Sequence, residues 1–433
     1  MSLRPQDRTT ILRTIKQRVL KNHINVAGVS YPEWTKLVDD RTPSLLGAEV
    51  EDFEIGVRDL LKQLGTSHTV FYHERTISLL PQHSIGATLR SFPGKDQERW
   101  TFLDVFEDGP AHSVGIKPGD ELFAVDGTPY RPPAMPPFRL GQTFTLTVSN
   151  TNGQRPRDVA IAVPFRKGTK DRPPIVEPKP LAHAVIAPGV GLLRVTYFPG
   201  PMGLGFAQLL DAAVSDLARQ QCTHLIVDLR GNIGGGLGFA RLASYFCPGQ
   251  LPIGHSLTPA RLRRGYRSEE LPRVPMPQTR TSLLLTLASY AFKDKSIHLL
   301  TQGLGEQPFH GRIVLLVNQW TNSAAEMVAN FAAENRLATI IGARTAGNVL
   351  GAANFSVGSG YWVRLPVFAW YTSHEDCLEG KGVTPDVAVE PNPELLNSGV
   401  DEQLNRAMEI QGVRATHSSA CIAPPFAPPN VQA

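Results

Sequence analysis

Strand-sized apolar runs alternate with helical repeats over residues 192–341, and this alternation is the strongest constraint on the fold. Short apolar runs bounded by turn residues are typical of buried strands, and apolar residues at i, i+3 and i+4 are typical of amphipathic helices. Strands and helices in alternation form a mostly parallel sheet with right-handed crossovers. The predicted strands are Leu192–Tyr197, His224–Leu229, Ile313–Val317 and Ala338–Ile341, and the predicted helices are Leu204–Leu217 and Ser323–Glu334. We therefore predict an α/β fold with crossover helices over a core at residues 190–412.

Four further regions differ from this core in their local pattern. Residues 1–80 place apolar side chains at helical spacing, which predicts an N-terminal helical region. Residues 83–165 consist of short apolar runs and glycine turns, which predicts a small β-rich domain. Prolines crowd residues 166–189, which predicts a linker, and residues 413–433, which predicts a disordered tail.

The composition is that of an ordinary globular protein, with 42% hydrophobic and 19% charged residues. A net charge of +4 over 433 residues lacks the concentrated basic face of a nucleic-acid binder. No window reaches the roughly twenty apolar residues of a membrane span, and the first residues lack the apolar stretch of a signal peptide. We therefore expect no nucleic-acid partner, no membrane span and a cytoplasmic location, or a periplasmic or secreted one if a signal was removed.

The four cysteines lie far apart, without a CxxC pair or a histidine at metal-ligand spacing. A structural zinc site or a disulfide framework needs such spacings. We therefore expect no metal and no other cofactor. The oligomeric state is left open by the sequence.

Ser323 lies between a predicted strand and an amphipathic helix. Unpaired backbone N–H groups and the positive end of the helix dipole meet at such a place, and both stabilise an oxyanion. The same serine with Glu326 also forms a capping box, so the local pattern leaves a structural role open.

A second feature is Asp228–Gly236, where an apolar strand ends in a glycine-rich turn. Glycines in such a turn can direct N–H groups toward an anion. The lysine and the serine or threonine of a phosphate-binding loop do not follow, so an oxyanion-binding loop is favoured. A third segment, Leu378–Val387, predicts by itself only a turn that enters a strand.

Together these segments resemble the tail-specific (C-terminal processing) protease family and its relative, the tricorn core protease. The shared pattern is D-x-R-x-N-x-G-G, then S-[AS]-[AS]-E, T-x-G and E-G-x-G-V-x-P-D. The matching stretches of this chain are Asp228–Gly235, Ser323–Glu326, Thr345–Gly347 and Glu379–Asp386. The resemblance implies a serine endopeptidase that acts on protein or peptide substrates through an acyl-enzyme on Ser323. It also implies an oxyanion hole formed by the N–H groups of Ala324 and of Gly234 or Gly235.

The general base is where this chain departs from much of that family. The lysine of a Ser–Lys dyad corresponds to Asn348, whose amide cannot accept a proton at neutral pH. The tricorn branch instead takes a histidine from a segment similar to L-x-D-G-H-T. Leu64–Thr69 resembles that segment, which implies His68 as the base and Glu379 as the residue that orients it. Rival residues are His73, His83 and His374 for the base, and Glu375 and Asp376 for the orienting carboxylate.

Residues 109–130, GPAHSVGIKPGDELFAVDGTPY, closely resemble a PDZ domain of the circularly permuted kind found in bacterial proteases. Such a domain implies a module that presents substrate. Its carboxylate-binding loop corresponds to Ser84, Ile85, Gly86 and Ala87, with Ser84 where a glycine is common. Two other readings remain: a catalytically inactive ligand- or peptide-binding protein on the same fold, and a PDZ-bearing adaptor. Labelling by a fluorophosphonate distinguishes them from an enzyme.

Overall fold

A computed structural model describes residues 3–94, 97–136, 138–149, 155–168, 173–200, 202–277, 279, 281–282, 284, 296–306, 309 and 312–413. Apart from residue 413, the predicted disordered tail lies outside the described residues.

The helices and strands are numbered in chain order. The helices are α1 (Pro5–Asn22), α2 (Tyr31–Gly47), α3 (Val50–Lys62), α4 (Pro81–Ser84), α5 (Pro110–Ser113), α6 (Leu204–Arg219), α7 (Phe239–Ser244), α8 (Pro259–Arg264), α9 (Ala324–Glu334), α10 (Pro393–Asn397) and α11 (Glu402–Ile410). The strands are β1 (Val70–His73), β2 (Ser78–Leu79), β3 (Ala87–Pro93), β4 (Glu98–Val105), β5 (Glu121–Val125), β6 (Thr128–Pro129), β7 (Phe138–Arg139), β8 (Thr143–Ser149), β9 (Arg157–Ala162), β10 (Leu181–Ala187), β11 (Val190–Val195), β12 (His224–Asp228), β13 (Pro252–Leu257), β14 (Arg273–Pro275), β15 (Ile297–Leu300), β16 (Ile313–Val317), β17 (Thr339–Gly342), β18 (Gly351–Gly358), β19 (Tyr361–Tyr371) and β20 (Val387–Ala388).

The core sheet has the strand order β10-β11-β12-β16-β17-β20. Within this sheet the pairs β11–β12, β12–β16, β16–β17 and β17–β20 are parallel, and β10 is antiparallel to β11. Alternate side chains of β12 face opposite sides: Leu225 packs with Phe331 of α9, whereas Ile226 packs with Leu404 of α11. The predicted mixed α/β fold is confirmed, and the loops after β12 and β16 meet at one edge of this sheet.

The N-terminal helices pack on a second sheet, which has the order β1-β19-β13-β15-β14, with β18 paired to β19. Apolar residues at helical spacing, such as Ile11 and Ile15 of α1 and Phe53 of α3, are buried against Val363 of β19. Helix α3 ends at Lys62, and a turn connects it to β1. This turn carries His68.

Residues 81–162 form a separate antiparallel sheet preceded by the short helix α4, and we call this unit the β-module. Its strand order is β3-β4-β5-β8-β9, with β6 paired to β5. Phe102, Leu122 and Leu146 form part of its buried core.

The expected linker at residues 166–189 contains regular structure in its described part. Leu181–Ala187 is the edge strand of the core sheet. Val176 is buried, and its N–H donates to the carbonyl of His83 at 2.8 Å. This part of the segment is therefore packed against its neighbours.

Candidate active site

Ser323 immediately precedes helix α9 and has φ 53° and ψ −116°. A residue with a side chain rarely adopts this left-handed conformation, which costs on the order of 1–3 kcal/mol and persists only where neighbours hold it. One such neighbour is Glu326, whose carboxylate accepts the N–H of Ser323 at 2.9 Å. This is one half of the capping box that the sequence predicts.

The Glu326 carboxylate is fully buried and serves four donors. Besides the N–H of Ser323, it accepts the hydroxyl of Thr345 at 2.7 Å and the N–H groups of Gly347 and Asn348 at 2.6 and 2.9 Å. Burial raises the pKa of this carboxyl group, and the donors oppose that rise. Glu326 thereby fixes the turn at residues 345–348 to the start of α9.

Two loops meet at Ser323: the glycine loop, residues 229–236, and the nucleophile loop, residues 318–323. They are joined by a hydrogen bond from the N–H of Asn322 to the carbonyl of Asn232 at 2.9 Å. A Cβ added to Gly234 would lie 2.7 Å from the Cβ of Ser323, so the close approach of the loops requires a glycine there.

The backbone donors of the glycine loop differ in their availability. The N–H of Gly234 donates to Oδ1 of Asn232 at 2.8 Å. Gly235 lies opposite Phe198 in a β-bridge whose two hydrogen bonds are made by the carbonyl of Gly234 and the N–H of Gly236. The N–H of Gly235 itself has no partner among the described residues. The N–H of Ala324 is also unpaired within that part of the chain. The two unpaired donors are therefore the N–H of Ala324, the residue after Ser323, and that of Gly235, whose neighbour Gly234 lies against Ser323.

His68 and Glu379 are connected through Ser67, whose role the sequence analysis missed. The hydroxyl of Ser67 donates to Oε2 of Glu379 at 3.0 Å, and this hydroxyl oxygen, Oγ of Ser67, lies 2.9 Å from Nδ1 of His68. Because a hydroxyl has one hydrogen, it accepts in the second contact, so His68 is protonated on Nδ1 and Nε2 is free to act as a base. Glu379 also accepts the N–H of Ser67 at 2.7 Å and that of Val349 at 3.1 Å.

Desolvation lowers the pKa of His68 to about 3, and the positive charges of Arg364 and His83 add to this effect. His68 is therefore neutral at pH 7. Its backbone also adopts a positive φ of 58°.

The turn at residues 345–349 joins the two halves of the site. The N–H of Asn348 donates to Glu326, beside Ser323, and the next N–H, of Val349, donates to Glu379. The side chain of Asn348 donates to Oδ1 of Asn322 in the nucleophile loop at 2.9 Å. Within the described residues no hydrogen bond connects Ser323 directly with His68.

The rival residues from the sequence analysis lie elsewhere or make other contacts. His73 packs against Tyr361, with ring centroids 4.8 Å apart, and exposed His374 lies 3.4 Å from Glu334. Glu375 accepts the hydroxyl of Ser268 at 2.5 Å, and Asp376 lies 3.9 Å from Lys381. Glu379 is thus the member of the acidic group that contacts Ser67, and His83 is the rival that is electrostatically coupled to His68.

The expected carboxylate-binding loop, Ser84–Ala87, is buried in this structure. The N–H groups of Ile85 and Gly86 both donate to the carbonyl of Pro81, at 3.0 and 3.1 Å. The hydroxyl of Ser84 donates to the carbonyl of Leu80 at 2.8 Å. Carboxylate binding at this loop remains a prediction, and it requires the loop to open.

Among the described residues, no three histidine, cysteine or acidic side chains are grouped as ligands for a metal ion. In the same part of the chain, no helix combines the length and apolar character that crossing a membrane requires.

Three desolvated histidines should make the stability of the fold depend on pH. Desolvation lowers the pKa of His23 and His83 to about 4 and that of His68 to about 3, against roughly 6.5 in an unfolded chain. The unfolded chain therefore binds more protons between about pH 4 and pH 6.5, and the free energy of unfolding should fall as the pH drops through that range. The slope is at most about 1.4 kcal/mol per pH unit for each histidine.

Urea unfolding at pH 7.5, 6, 5 and 4.5 measures this slope. His83→Gln should reduce it, whereas His374→Gln, at a side chain that is 68% exposed, serves as the matched control. A free energy of unfolding that stays constant from pH 7 to 4.5 would contradict the prediction.

Comparison with known proteins indicates the class: the matches to a peptidase family model and to processing proteases point to a serine-type peptidase. The enzyme class predicted from the sequence is thereby confirmed. Residues 189–389 match the model of peptidase family S41. The match includes Ser323 and Glu379, but it begins after His68 and the β-module.

Curated relatives come from both branches named by the sequence resemblance. The chain is 24% identical over 442 residues to tricorn protease homolog 1 from Streptomyces coelicolor, an alignment that covers 95% of this chain and 36% of that protein. It is 25% identical over 313 residues to a carboxy-terminal-processing protease from Bartonella bacilliformis, covering 71% of this chain and 62% of the relative. The chain thus spans less than two thirds of the length of either relative.

Solved structures show the same fold. The photosystem II D1 C-terminal processing protease superposes with a TM-score of 0.56 at 18% identity, covering 90% of this chain and 94% of that one. Mature CPAF complexed with lactacystin gives a TM-score of 0.56 at 15% identity, covering 95% and 98%. At these identities the likeness concerns the fold alone.

Proposed function

We propose that this chain is a serine endopeptidase that hydrolyses peptide bonds in protein or peptide substrates through an acyl-enzyme on Ser323. One observation carries the proposal: a strained serine at a helix start, with the unpaired N–H of the next residue, Ala324, and with the glycine loop, which holds the unpaired N–H of Gly235, packed against it. A nucleophilic serine needs such donors, because the carbonyl oxygen that it attacks becomes an oxyanion. The names of the relatives, which are processing and tricorn proteases, agree with this reaction.

In this mechanism His68 is the general base. Its free Nε2 accepts the proton of Ser323 as the hydroxyl attacks the substrate carbonyl, and returns it to the leaving amine. Ser67 and Glu379 keep the Nδ1 proton in place and stabilise the positive charge that develops on the ring. Because Ser323 and His68 are not hydrogen-bonded to each other, substrate binding must bring the two side chains together.

The oxyanion hole consists of the N–H groups of Ala324 and Gly235. Gly234 has a different role, because its N–H is engaged by Asn232 and its missing side chain allows the loops to approach. This assignment separates two glycines that the sequence alone leaves equivalent.

The site is of the Ser/His/Glu type, as in the tricorn branch, and not of the Ser/Lys type. Asn348 occupies the lysine position, and its amide donates to Asn322 instead of accepting a proton from Ser323. Its function is to hold the nucleophile loop.

The β-module is a PDZ domain that binds peptide segments of the substrate. Its antiparallel sheet and the motif at residues 109–130 support this role, and Ser84–Ala87 is the binding loop. Since that loop is closed by its own hydrogen bonds, we expect weak capture of a free carboxylate.

Fluorophosphonate labelling tests the proposed function. The reagent should modify Ser323, identified by peptide mass spectrometry, in the folded protein and not after denaturation. Ser323→Ala should remain unlabelled, whereas Ser373→Ala, at another partly buried serine beside a carboxylate, should label like the wild type. A wild-type protein that binds peptides but resists the reagent would instead support the catalytically inactive binding protein.

A further inference from the structure

We propose that Gln82 and Asp104, two buried residues of the β-module, are positioning residues that hold the glycine loop and the nucleophile loop at their catalytic separation. This inference rests on the proposed function and assigns the β-module a part in the chemical step. Both side chains are almost completely buried, with 2% and 5% of their surface exposed.

Gln82 connects the two loops through one nitrogen atom. Its Nε2 donates to the carbonyl of Gly231 in the glycine loop at 2.7 Å, and to the carbonyl of Trp320 in the nucleophile loop at 3.1 Å. An amide NH₂ has two hydrogens, so both contacts form at once. Gln82 therefore fixes the distance between two backbone positions on loops that are nearly ninety residues apart in sequence.

Asp104 acts on the same loops through Asn318. Its Oδ2 accepts the side-chain amide of Asn318 at 2.9 Å and the hydroxyl of Thr88 at 2.6 Å. The carbonyl of the Asn318 side chain then accepts the N–H groups of Gly231 and Trp320, at 3.1 and 3.0 Å. Asp104 thus determines which way the Asn318 amide points, and with it the positions of both loops.

The two networks converge on Gly231, which donates to Asn318 and accepts from Gln82. Space at this residue is also limited, because an added Cβ would lie 2.9 Å from the ring of Phe106 and 3.1 Å from Asp104. The β-module is therefore in van der Waals contact with the glycine loop, and the loop cannot shift toward it.

The consequence for catalysis concerns Gly235, which lies in the glycine loop, and Ala324, the first residue of α9, which directly follows the nucleophile loop. Their N–H groups can bind one oxyanion only if the loops keep their separation. A displacement of about 1 Å in an active site lowers the rate on the order of a hundredfold. Loss of Gln82 or Asp104 should therefore impair the chemical step for every substrate, short or long.

A second contact region anchors the β-module away from these loops. A Cβ on Gly119 would lie 2.4 Å from the backbone nitrogen of Asn397 in α10, so the two backbones are in direct contact. Arg90 also pairs with Glu390 at 2.6 Å. Held at both places, the β-module is a fixed support in this structure and not a freely moving presenter of substrate.

The test compares Gln82→Met and Asp104→Ala with the wild type on a short chromogenic peptide. Gln82→Met keeps the side-chain volume and removes the amide. We expect kcat to fall roughly ten- to a hundredfold with KM within twofold, and the rate of fluorophosphonate labelling to fall by a similar factor. Asp104→Asn, which keeps an acceptor for Thr88 or Asn318, should recover most of kcat.

The matched control is Asp158→Ala. Asp158 accepts the hydroxyl of Thr147 at 2.7 Å across two strands of the same sheet, as Asp104 does with Thr88, but it is exposed and, among the described residues, forms no hydrogen bond to either loop. It should retain wild-type kcat. Folding of each variant is checked by its thermal midpoint.

Wild-type kcat and labelling in folded Gln82→Met would overturn the inference, as would a loss confined to KM on long substrates. If Asp104→Ala does not fold, Gln82→Met and Asp104→Asn still decide the matter. A wild-type protein that neither cleaves peptides nor reacts with the reagent would instead contradict the proposed function.

Discussion

Ser323→Ala and His68→Ala should each lower kcat/KM on an unstructured protein such as casein by at least about a thousandfold. In the proposed mechanism the serine supplies the bond-forming oxygen, and the histidine is the base, whose Nε2 is free because its Nδ1–H donates a hydrogen bond to the hydroxyl of Ser67. The double variant should be little worse than either single one, because the two residues act as a unit.

The controls separate His68 from its rivals. His374→Ala, at an exposed ring beside Glu334, should keep wild-type kcat/KM. Ser67→Ala should fall between this control and His68→Ala, since it removes the connection to Glu379 but leaves the base. Near-normal activity of His68→Ala would exclude it as the base, and His83 would be examined next, because it lies close enough to His68 to affect the pKa of that ring.

Glu326→Ala should have the largest effect on stability and also abolish activity. It removes the acceptor of four donors in a fully buried position. Each buried donor without a partner costs about 1–3 kcal/mol, so we expect a loss of roughly 3 kcal/mol or more in the free energy of unfolding. The strained backbone of Ser323 should then relax, and kcat should decrease by more than a hundredfold.

Glu334→Ala is the matched control, since this glutamate lies on the same helix and is only 12% exposed. It accepts from Ser373 and has no contact with the turn at residues 345–348. Urea unfolding and peptide hydrolysis should show a much smaller effect. Comparable stabilities of the two variants would mean that Glu326 is not the anchor that its contacts indicate.

Local patterns predicted the core elements well. The strand Ile313–Val317 has the bounds that its apolar run predicts, and helix α9 begins one residue after the predicted start. The reason is that a buried strand and an amphipathic helix are encoded by neighbouring residues. The motifs around Asp228, Ser323 and Glu379 also mark the loops that the structure brings to one region.

Contacts between distant segments could not be predicted in the same way. Strand β13 pairs with β15 and with β19, which is more than a hundred residues away, and no periodicity in the intervening segment is strong enough to indicate that sheet. In the link from His68 through Ser67 to Glu379, the contact between Ser67 and Glu379 joins residues 312 positions apart. Whether the N–H of Gly234 or that of Gly235 is free depends on which of them donates to the side chain of Asn232. The spacing of residues in the sequence does not reveal this contact.

The backbone of Ser323 has a consequence for how such a chain evolves. At φ 53° a glycine would be accommodated without the strain that a serine brings, which is on the order of 1–3 kcal/mol. In a related protein that keeps the fold but does not need a hydroxyl at this position, glycine would therefore be the more stable residue. Serine here is the less stable choice, and the nucleophilic role proposed for Ser323 is what would require a hydroxyl at this position despite the preference of the backbone.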